Sequence, residues 1–149
     1  APYVYKPMAH YAMAKLLLAW WVAALSRRLP EGMAVVAVSP GSVPLTSVSR
    51  NQGWLMRRVM APVMGSWLGQ RLGMGMTVAV GASRYLDAYS YQVGQTGQFF
   101  ASKPGRAVGP VERQVQPHVL DEALQEAAWR LVARLTHTER PALEVVEAQ

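Results

Sequence analysis

Residues 9–41 read AHYAMAKLLLAWWVAALSRRLPEGMAVVAVSPG, and this stretch decides the fold of the chain. Residues 9–29 are rich in alanine and leucine and contain no glycine or proline. They predict one long helix, which the sequence Pro30-Glu31-Gly32 ends. Because the helix is apolar almost all round, we expect a sheet and a partner subunit to cover several of its faces.

A short and nearly continuous apolar run follows, from Met33 to Val38. Such β-branched runs are typical of strands that are buried on both faces of a parallel sheet. Helix, short loop and buried strand together make an α/β unit, so the sequence predicts an α/β fold. The strand leads directly into Ser39-Pro40-Gly41, which has the composition of a turn.

The composition indicates one compact domain, since 51% of the 149 residues are apolar and 16% are charged. The absence of cysteine excludes disulfides, thiolate metal sites and cysteine nucleophiles. The net charge is +6, but no dense basic run with interleaved aromatics is present, so we expect no nucleic-acid partner. The strongest apolar run, residues 16–25, is shorter than the about 20 residues of a membrane-spanning helix. No leader sequence is visible either, so we expect a cytoplasmic protein.

Loops, helices and one further strand are predicted after residue 41. Residues 42–53 are rich in serine, asparagine and glycine and predict a loop. Residues 54–72 carry apolar residues at mixed spacing and predict short helices. The other predictions are a helix over Met76–Asp87, a strand within Gly97–Ala101, a loop over residues 102–117, and a helix over Leu120–Leu135 with a buried stripe of Leu124, Ala128, Leu131 and Leu135.

Tyr11 and Lys15 stand at the head of the long helix and are the candidate chemical pair. Residues four apart lie on one helix face, so the two side chains can reach the same small volume. A lysine ammonium stabilises the phenolate that a tyrosine becomes when it gives up its proton. The bare Tyr-x-x-x-Lys pattern is weak, but here a buried strand and a Pro-Gly turn follow at suitable distances.

The order of helix, strand, Pro-Gly loop, helical flap, helix and strand resembles the C-terminal half of the short-chain dehydrogenase/reductase family. The resemblance covers essentially all 149 residues. The Ser-Pro-Gly loop, the segment Gly94–Phe100 and the terminal helix with Trp129 are similar to its retinol-dehydrogenase-like and actinobacterial branches. The resemblance implies the C-terminal half of a doubly wound, Rossmann-type parallel sheet. Residues 1–149 would then be part of a single domain with a catalytic helix, a Pro-Gly loop, a substrate flap and a C-terminal helix.

The resemblance also implies the roles of Tyr11 and Lys15. Tyr11 would be the general acid/base that exchanges a proton with the substrate oxygen. Lys15 would assist that proton transfer and bind the ribose hydroxyls of NAD or NADP, so both residues would contact the cofactor. The reaction implied is the interconversion of an alcohol and a carbonyl with a nicotinamide cofactor.

The same resemblance assigns the loop after the strand to the cofactor. Pro40, Gly41 and Val43 would line the nicotinamide, where a glycine lets the backbone approach the ring closely. The family often has a threonine two residues after the valine, whereas this chain has Leu45 there and Thr46 one place later. Thr46 is therefore the expected further cofactor contact.

Two elements of the family pattern are expected outside this chain. The family's serine precedes the tyrosine by about a dozen residues, and its glycine-rich phosphate loop belongs to the first half of the fold. Residues 69–75 match the Gly-x-x-x-Gly-x-Gly spelling, but residues 54–60 before them predict a helix rather than the required strand. We therefore interpret that segment as a hinge. His10, His118 and His137 do not cluster, and we predict no metal site.

The segment from Trp54 to Met76 is rich in methionine and tryptophan, and three interpretations of it remain open. It is a lid over a lipophilic substrate, or ordinary core and dimer packing, or a surface for an anionic membrane that uses Arg57, Arg58 and Arg71. For the whole chain the alternative to an oxidoreductase is a non-catalytic, truncated or accessory chain that lacks cofactor binding. The partners expected are a small alcohol or ketone and either a second copy through helix 9–29 or the N-terminal half of the same enzyme.

Overall fold

The computed structural model describes residues 4–43, 54–106 and 108–138. The chain divides into two compact units. The first is formed by residues 1–37, 92–99 and 115–149, and the second by residues 38–91 and 100–114.

The elements of the described residues follow one another in this order. Helices are α1 (Pro7–Ser26), a π-helix (Met56–Met60), α2 (Ala61–Gly65), α3 (Trp67–Arg71), α4 (Val78–Asp87), two short 3-10 helices (Ala88–Ser90 and Val93–Gln95), α5 (Pro117–Leu120) and α6 (Glu122–Thr136). Strands are β1 (Ala37–Val38), β2 (Phe99–Ala101) and β3 (Glu112–Arg113). No helix in this part of the chain is both long and apolar enough to cross a membrane.

The core of the first unit lies between the second half of α1 and α6. Alanines at positions 19, 23 and 24 of α1 are buried, as is Ala128 of α6, and such small side chains let two helices approach closely. The rings of Trp21 and Trp129 stack with centroids 6.0 Å apart. The indole N–H of Trp20 donates to the carbonyl oxygen of His118 at 2.7 Å. These contacts fix α1 through its C-terminal half.

A charged cluster closes the end of this helix pair. Both Arg27 and Arg28 donate to the carboxylate of Glu126, at 2.8 and 2.6 Å respectively. The hydrogen bonds from Arg28 and then from Arg27 lower the pKa of the Glu126 carboxyl from about 4.5 to about 2. The Arg28 guanidinium also lies over the Trp129 ring, 4.5 Å from its centroid. The cluster therefore ties the two residues that follow α1 to the middle of α6.

Replacing Glu126 with glutamine should lower the free energy of unfolding by about 1 kcal/mol at neutral pH, because the cluster is partly exposed and screened. The folded-state pKa of Glu126 is depressed, so its contribution is fully present above pH 4.5 and is lost as the pH falls through about 2. Thermal unfolding should therefore separate the wild type from Glu126→Gln at pH 7 and bring the two together towards pH 2. Glu31→Gln, a control outside this cluster, should show no such difference. A gap that stays constant with pH would contradict this account.

The three strands form one mixed sheet in the order β1-β2-β3. The amide of Ala37 donates to the Gln98 oxygen at 3.0 Å, and the amide of Ser39 to the Phe100 oxygen at 2.8 Å. Residue numbers rise together along both strands, so β1 and β2 run parallel. The β2 and β3 strands are antiparallel, with Phe100 opposite Arg113. The predicted α/β class is confirmed. The three short strands do not by themselves establish half of a Rossmann-type sheet.

Several predicted boundaries differ from the structure for local reasons. The helix begins at Pro7, because proline suits the first turn, and it ends at Ser26. Only Ala37–Val38 of the predicted strand pairs as a strand, although the Val35 oxygen accepts from the Gly97 amide at 2.7 Å. Gly97 has a φ of +75° there, which turns the chain out of the ladder. The predicted strand near residue 99 is confirmed.

Two other predictions were wrong in part. The loop predicted over residues 102–117 contains β3, whose sequence Glu112-Arg113 has no β propensity and depends on pairing with β2. On α6 the predicted stripe is displaced, since Leu135 is 68% exposed while Gln125 is buried. Gln125 is accommodated because its carboxamide donates to the Val119 oxygen at 3.0 Å and accepts from Arg27 at 2.6 Å.

Candidate functional site

Tyr11 and Lys15 lie on the N-terminal half of α1, within the first unit. The Lys15 ammonium nitrogen is 5.5 Å from the centroid of the Tyr11 ring. Tyr11 is 46% exposed and Lys15 is also exposed. The helical spacing thus places a phenol and an ammonium side by side, where a ligand can reach both.

The surroundings of this pair follow from how α1 is packed. Among the side chains of α1 that the structure describes, the buried ones begin at Ala19, so those of residues 9–18 have little cover within the unit. Met13 in the same half of the helix and Leu18 near its middle are also exposed. His10 belongs to the start of the helix, where its Nδ1 lies 2.6 Å from the Lys6 carbonyl oxygen and its ring stacks on Tyr5. These contacts anchor the helix end that carries Tyr11.

The Ser39–Val43 loop is part of the second unit and is built around a glycine. Gly41 has a φ of +77°, a conformation that side chains other than glycine rarely adopt. Its amide donates to the Ser39 hydroxyl at 3.3 Å, which closes the turn after β1. The carbonyl oxygen of Ser42 accepts from the Met76 amide at 2.9 Å, just before α4. The Pro-Gly sequence therefore gives a defined turn.

The side chain of Arg84, in α4, is hydrogen-bonded to this loop. It is buried, and its guanidinium donates to the Ser39 carbonyl oxygen at 3.2 Å, to the Ser102 hydroxyl at 3.0 Å and to the Gly109 carbonyl oxygen at 2.5 Å. Burial lowers the pKa of Arg84. Within the described residues Arg84 forms no ion pair, so its charge is stabilised by oriented neutral oxygens.

Gly81, one turn before Arg84, allows α4 to approach the same loop. A Cβ at this position would lie 2.8 Å from Cγ2 of Val43 and 3.5 Å from the carbonyl oxygen of Pro40. Gly81 therefore lets α4 come close to residues 39–43, and Arg84 hydrogen-bonds to the same loop. Neither was predicted from the sequence. The available signal is an arginine three residues after a glycine in an amphipathic helix, which places both on one face.

The sequence-predicted residues are thus distributed over both units. The first unit brings Tyr11 and Lys15 together, and the second contains Pro40, Gly41 and Val43 in one loop. Thr46 lies outside the described residues.

The glycine-rich segment 69–75 does not have the surroundings of a phosphate loop. Gly69 lies inside α3 and is buried, and a Cβ there would overlap the backbone carbonyl oxygens of Val63 and Met64. The lack of a side chain at Gly69 thus allows α2 and α3 to pack closely. The turn within the predicted hinge begins only after α3. In the part of the chain that the structure describes, no three acidic or histidine side chains gather as metal ligands would.

Comparison of the chain with protein-family models, with curated proteins and with solved structures gives no match. Functional inference therefore depends on the residues and contacts described above.

Proposed function

We propose that this chain is the C-terminal part of an NAD(P)-dependent oxidoreductase of the short-chain dehydrogenase/reductase type, which interconverts an alcohol and a carbonyl on a lipophilic substrate. The observation that carries the proposal is the exposed pair on α1, with the Lys15 ammonium 5.5 Å from the Tyr11 ring. In this proposal the phenol is the general acid/base, and the ammonium beside its ring is the charge that stabilises its phenolate. The pair also occupies the helix and position that the family resemblance requires.

In the proposed reaction Tyr11 moves the proton. The nicotinamide cofactor supplies the hydride for carbonyl reduction or accepts it in alcohol oxidation. During reduction the Tyr11 hydroxyl donates its proton to the substrate oxygen as negative charge develops there, and in oxidation the phenolate takes it back. The Lys15 ammonium stabilises the phenolate in both directions and also hydrogen-bonds the ribose hydroxyls.

Two features of the chain fit such a cofactor. An exposed ammonium suits the ribose hydroxyls, and a turn with a glycine at φ +77° presents bare backbone to a flat ring. In the proposal Pro40, Gly41 and Val43 line the nicotinamide, and Thr46 adds a further contact. The cofactor is NAD or NADP.

The proposed fold is the C-terminal half of a doubly wound parallel sheet. The parallel neighbours β1 and β2 support it, because parallel strands need a long crossover and here that crossover carries helices α2 to α4. The serine and the phosphate loop would come from the N-terminal half of the same enzyme. The exposed side chains of Met13 and Leu18 support contact of α1 with that half or with a second copy. We propose a cytoplasmic location.

A non-catalytic accessory chain is the alternative, favoured by the helical surroundings of Gly69, which leave the described residues without a phosphate loop. Calorimetric titration with NADH and NADPH of the protein as its natural source produces it separates the two interpretations. The accessory interpretation requires that neither cofactor binds to the protein, even in a form longer than these 149 residues.

The proposal is tested by the Lys15→Met variant in the protein as its natural source produces it. Loss of the ammonium should lower kcat/KM for carbonyl reduction about 10²-fold, because a preorganised charge at the reacting oxygen is removed. Part of this loss should be a raised KM for the cofactor, because the ribose contact is removed too. The measurement is NAD(P)H oxidation with a panel of lipophilic ketones and aldehydes.

Lys6→Met is the matched control, since Lys6 is an exposed lysine at the start of the same helix. It should leave kcat/KM within about twofold of the wild type. Equal losses in the two variants would assign the effect to surface charge and contradict the proposed role of Lys15.

A further inference from the structure

One six-residue pattern occurs twice in the second unit. Residues 54–59 read Trp-Leu-Met-Arg-Arg-Val and residues 67–72 read Trp-Leu-Gly-Gln-Arg-Leu. Both have the form Trp-Leu-x-x-Arg followed by an aliphatic residue. The first copy runs into the π-helix and the second forms α3 and its C-cap.

The recurring positions are the exposed ones. Positions i, i+1, i+4 and i+5 of a helix lie on one face. In both copies the apolar side chains at these positions are 41% to 71% exposed, and the arginine at i+4 is exposed as well. We call the two exposed faces, one from each copy, the Trp-Arg face; together they consist of Trp54, Leu55, Arg58, Val59, Trp67, Leu68, Arg71 and Leu72.

In the second copy the positions between the repeated ones are less exposed, so exposure is not a general property of this helix. Gly69 is buried inside the second copy, and Ala61 of α2, two residues after the first copy, is buried as well. Gly69 packs against backbone atoms of Val63 and Met64, so α2 and α3 adjoin on their inner sides. Helix α3 therefore has an inner side that packs against α2 and an outer side that carries the repeated pattern.

The charge of this region has one sign. Residues 54–72 contain three arginines and no aspartate or glutamate, and no acidic residue occurs between Glu31 and Asp87. The Arg71 guanidinium lies 4.9 Å from the centroid of the Trp67 ring. The face thus combines large exposed apolar side chains with cations that no acidic group in the same stretch neutralises.

We propose that the Trp-Arg face docks the protein on an anionic lipid membrane surface. Tryptophan is favoured at the level of lipid headgroups, because its ring is apolar and its N–H is a donor. Exposed leucine and valine would enter the acyl boundary, and the arginines would pair with lipid phosphate and carboxylate groups. The attachment is peripheral. This inference does not depend on the proposed catalytic function.

Two other occupants fit the observations less well. A second copy docked face to face would bring Arg58 and Arg71 against the same arginines, and the face holds no carboxylate to pair them. A lid over a lipophilic substrate would use the apolar side chains but has no need of repeated cations. Only an anionic surface satisfies both parts of the pattern.

The test is vesicle co-sedimentation of the protein as its natural source produces it. Vesicles of phosphatidylcholine are compared with vesicles that also contain phosphatidylserine. The wild type should bind the phosphatidylserine vesicles, and binding should weaken as salt is raised. Arg58→Glu with Arg71→Glu should reduce the partition coefficient at least about tenfold. Trp54→Ala with Trp67→Ala should reduce it to a similar extent while keeping the salt dependence.

Arg130→Glu with Arg134→Glu is the matched control, because it makes the same change of net charge at two exposed arginines of α6. It should retain most of the binding. Circular dichroism and thermal unfolding show whether each variant is folded, and Arg58→Gln with Arg71→Gln is a milder pair that should give a smaller loss. The proposal is overturned if the wild type ignores phosphatidylserine vesicles, or if the two charge-reversed pairs lose binding equally. It is also overturned if the tryptophan pair changes only the oligomeric state in light scattering, which would identify a second copy as the occupant.

Discussion

Tyr11→Phe should lower kcat for carbonyl reduction about 10³-fold while leaving the dissociation constant of the nicotinamide cofactor within about threefold. The substitution removes one hydroxyl and keeps the ring, so the contact with the Lys15 ammonium, 5.5 Å from the ring centroid, is retained. In the proposed reaction this hydroxyl is the proton donor to the substrate oxygen, so the variant would leave the developing negative charge there without one. Stopped-flow or steady-state oxidation of NAD(P)H, combined with calorimetric cofactor titration, measures both quantities.

Tyr5→Phe is the control for this variant. Tyr5 precedes the same helix, is 65% exposed and stacks on His10 rather than beside Lys15. Its loss of a hydroxyl should leave turnover unchanged. If Tyr11→Phe retained more than about a tenth of the wild-type turnover, Tyr11 would not be the general acid, whatever the effect on binding.

Arg84→Met should lower the free energy of unfolding by about 3 kcal/mol, which corresponds to a fall in Tm of about 6–12 °C. The variant keeps an apolar stem in the buried space but removes the donors to Ser39, Ser102 and Gly109. Two carbonyl oxygens and a hydroxyl then lose their partners in a part-buried region, which is the larger share of the cost. The free energy of unfolding of Arg84→Lys should lie between those of the wild type and Arg84→Met, because a lysine keeps the charge but not the fork of donors.

The KM for the cofactor is a second measurement, which shows whether Arg84 positions the Ser39–Val43 loop in addition to stabilising the fold. Below the unfolding transition, Arg84→Met should raise the KM for the cofactor more than it lowers kcat, because the Ser39–Val43 loop is the element that Arg84 holds. Arg130→Met, an exposed arginine of α6, should change neither Tm nor KM appreciably. A destabilised Arg84→Met variant with an unchanged cofactor KM would restrict Arg84 to a structural role without contradicting the proposed reaction.

The long helix and the strand near residue 99 could be predicted because each has a local signal. Between residues 9 and 29 no breaker occurs, and the glycine-led run 97–101 has the aromatic residues that strands favour. The face shared by Tyr11 and Lys15 follows from helical spacing alone. The Gly41 turn follows equally from its Pro-Gly sequence.

What the sequence could not give depends on contacts between distant residues. Strand β3 exists because Glu112 and Arg113 pair with β2, and neither residue favours strands. The burial of Gln125 on α6 requires hydrogen bonds with Val119 and Arg27, which no periodicity reveals.

Arg84 is the clearest case of this kind in the candidate site. A charged residue in an amphipathic helix is ordinarily assigned to the solvent face. Its partners Ser39, Ser102 and Gly109 are far away in sequence. Only the fold brings these oxygens to one point, so the residue that holds the Pro-Gly loop was missed.

The measurement that tests the central claim most directly is calorimetric titration of the protein, purified from its natural source, with NADH and with NADPH. We expect saturable binding of at least one of them with a dissociation constant on the order of micromolar, weakened by Lys15→Met and not by Lys6→Met. Absence of binding by the folded protein at concentrations up to about a millimolar of either cofactor would contradict it.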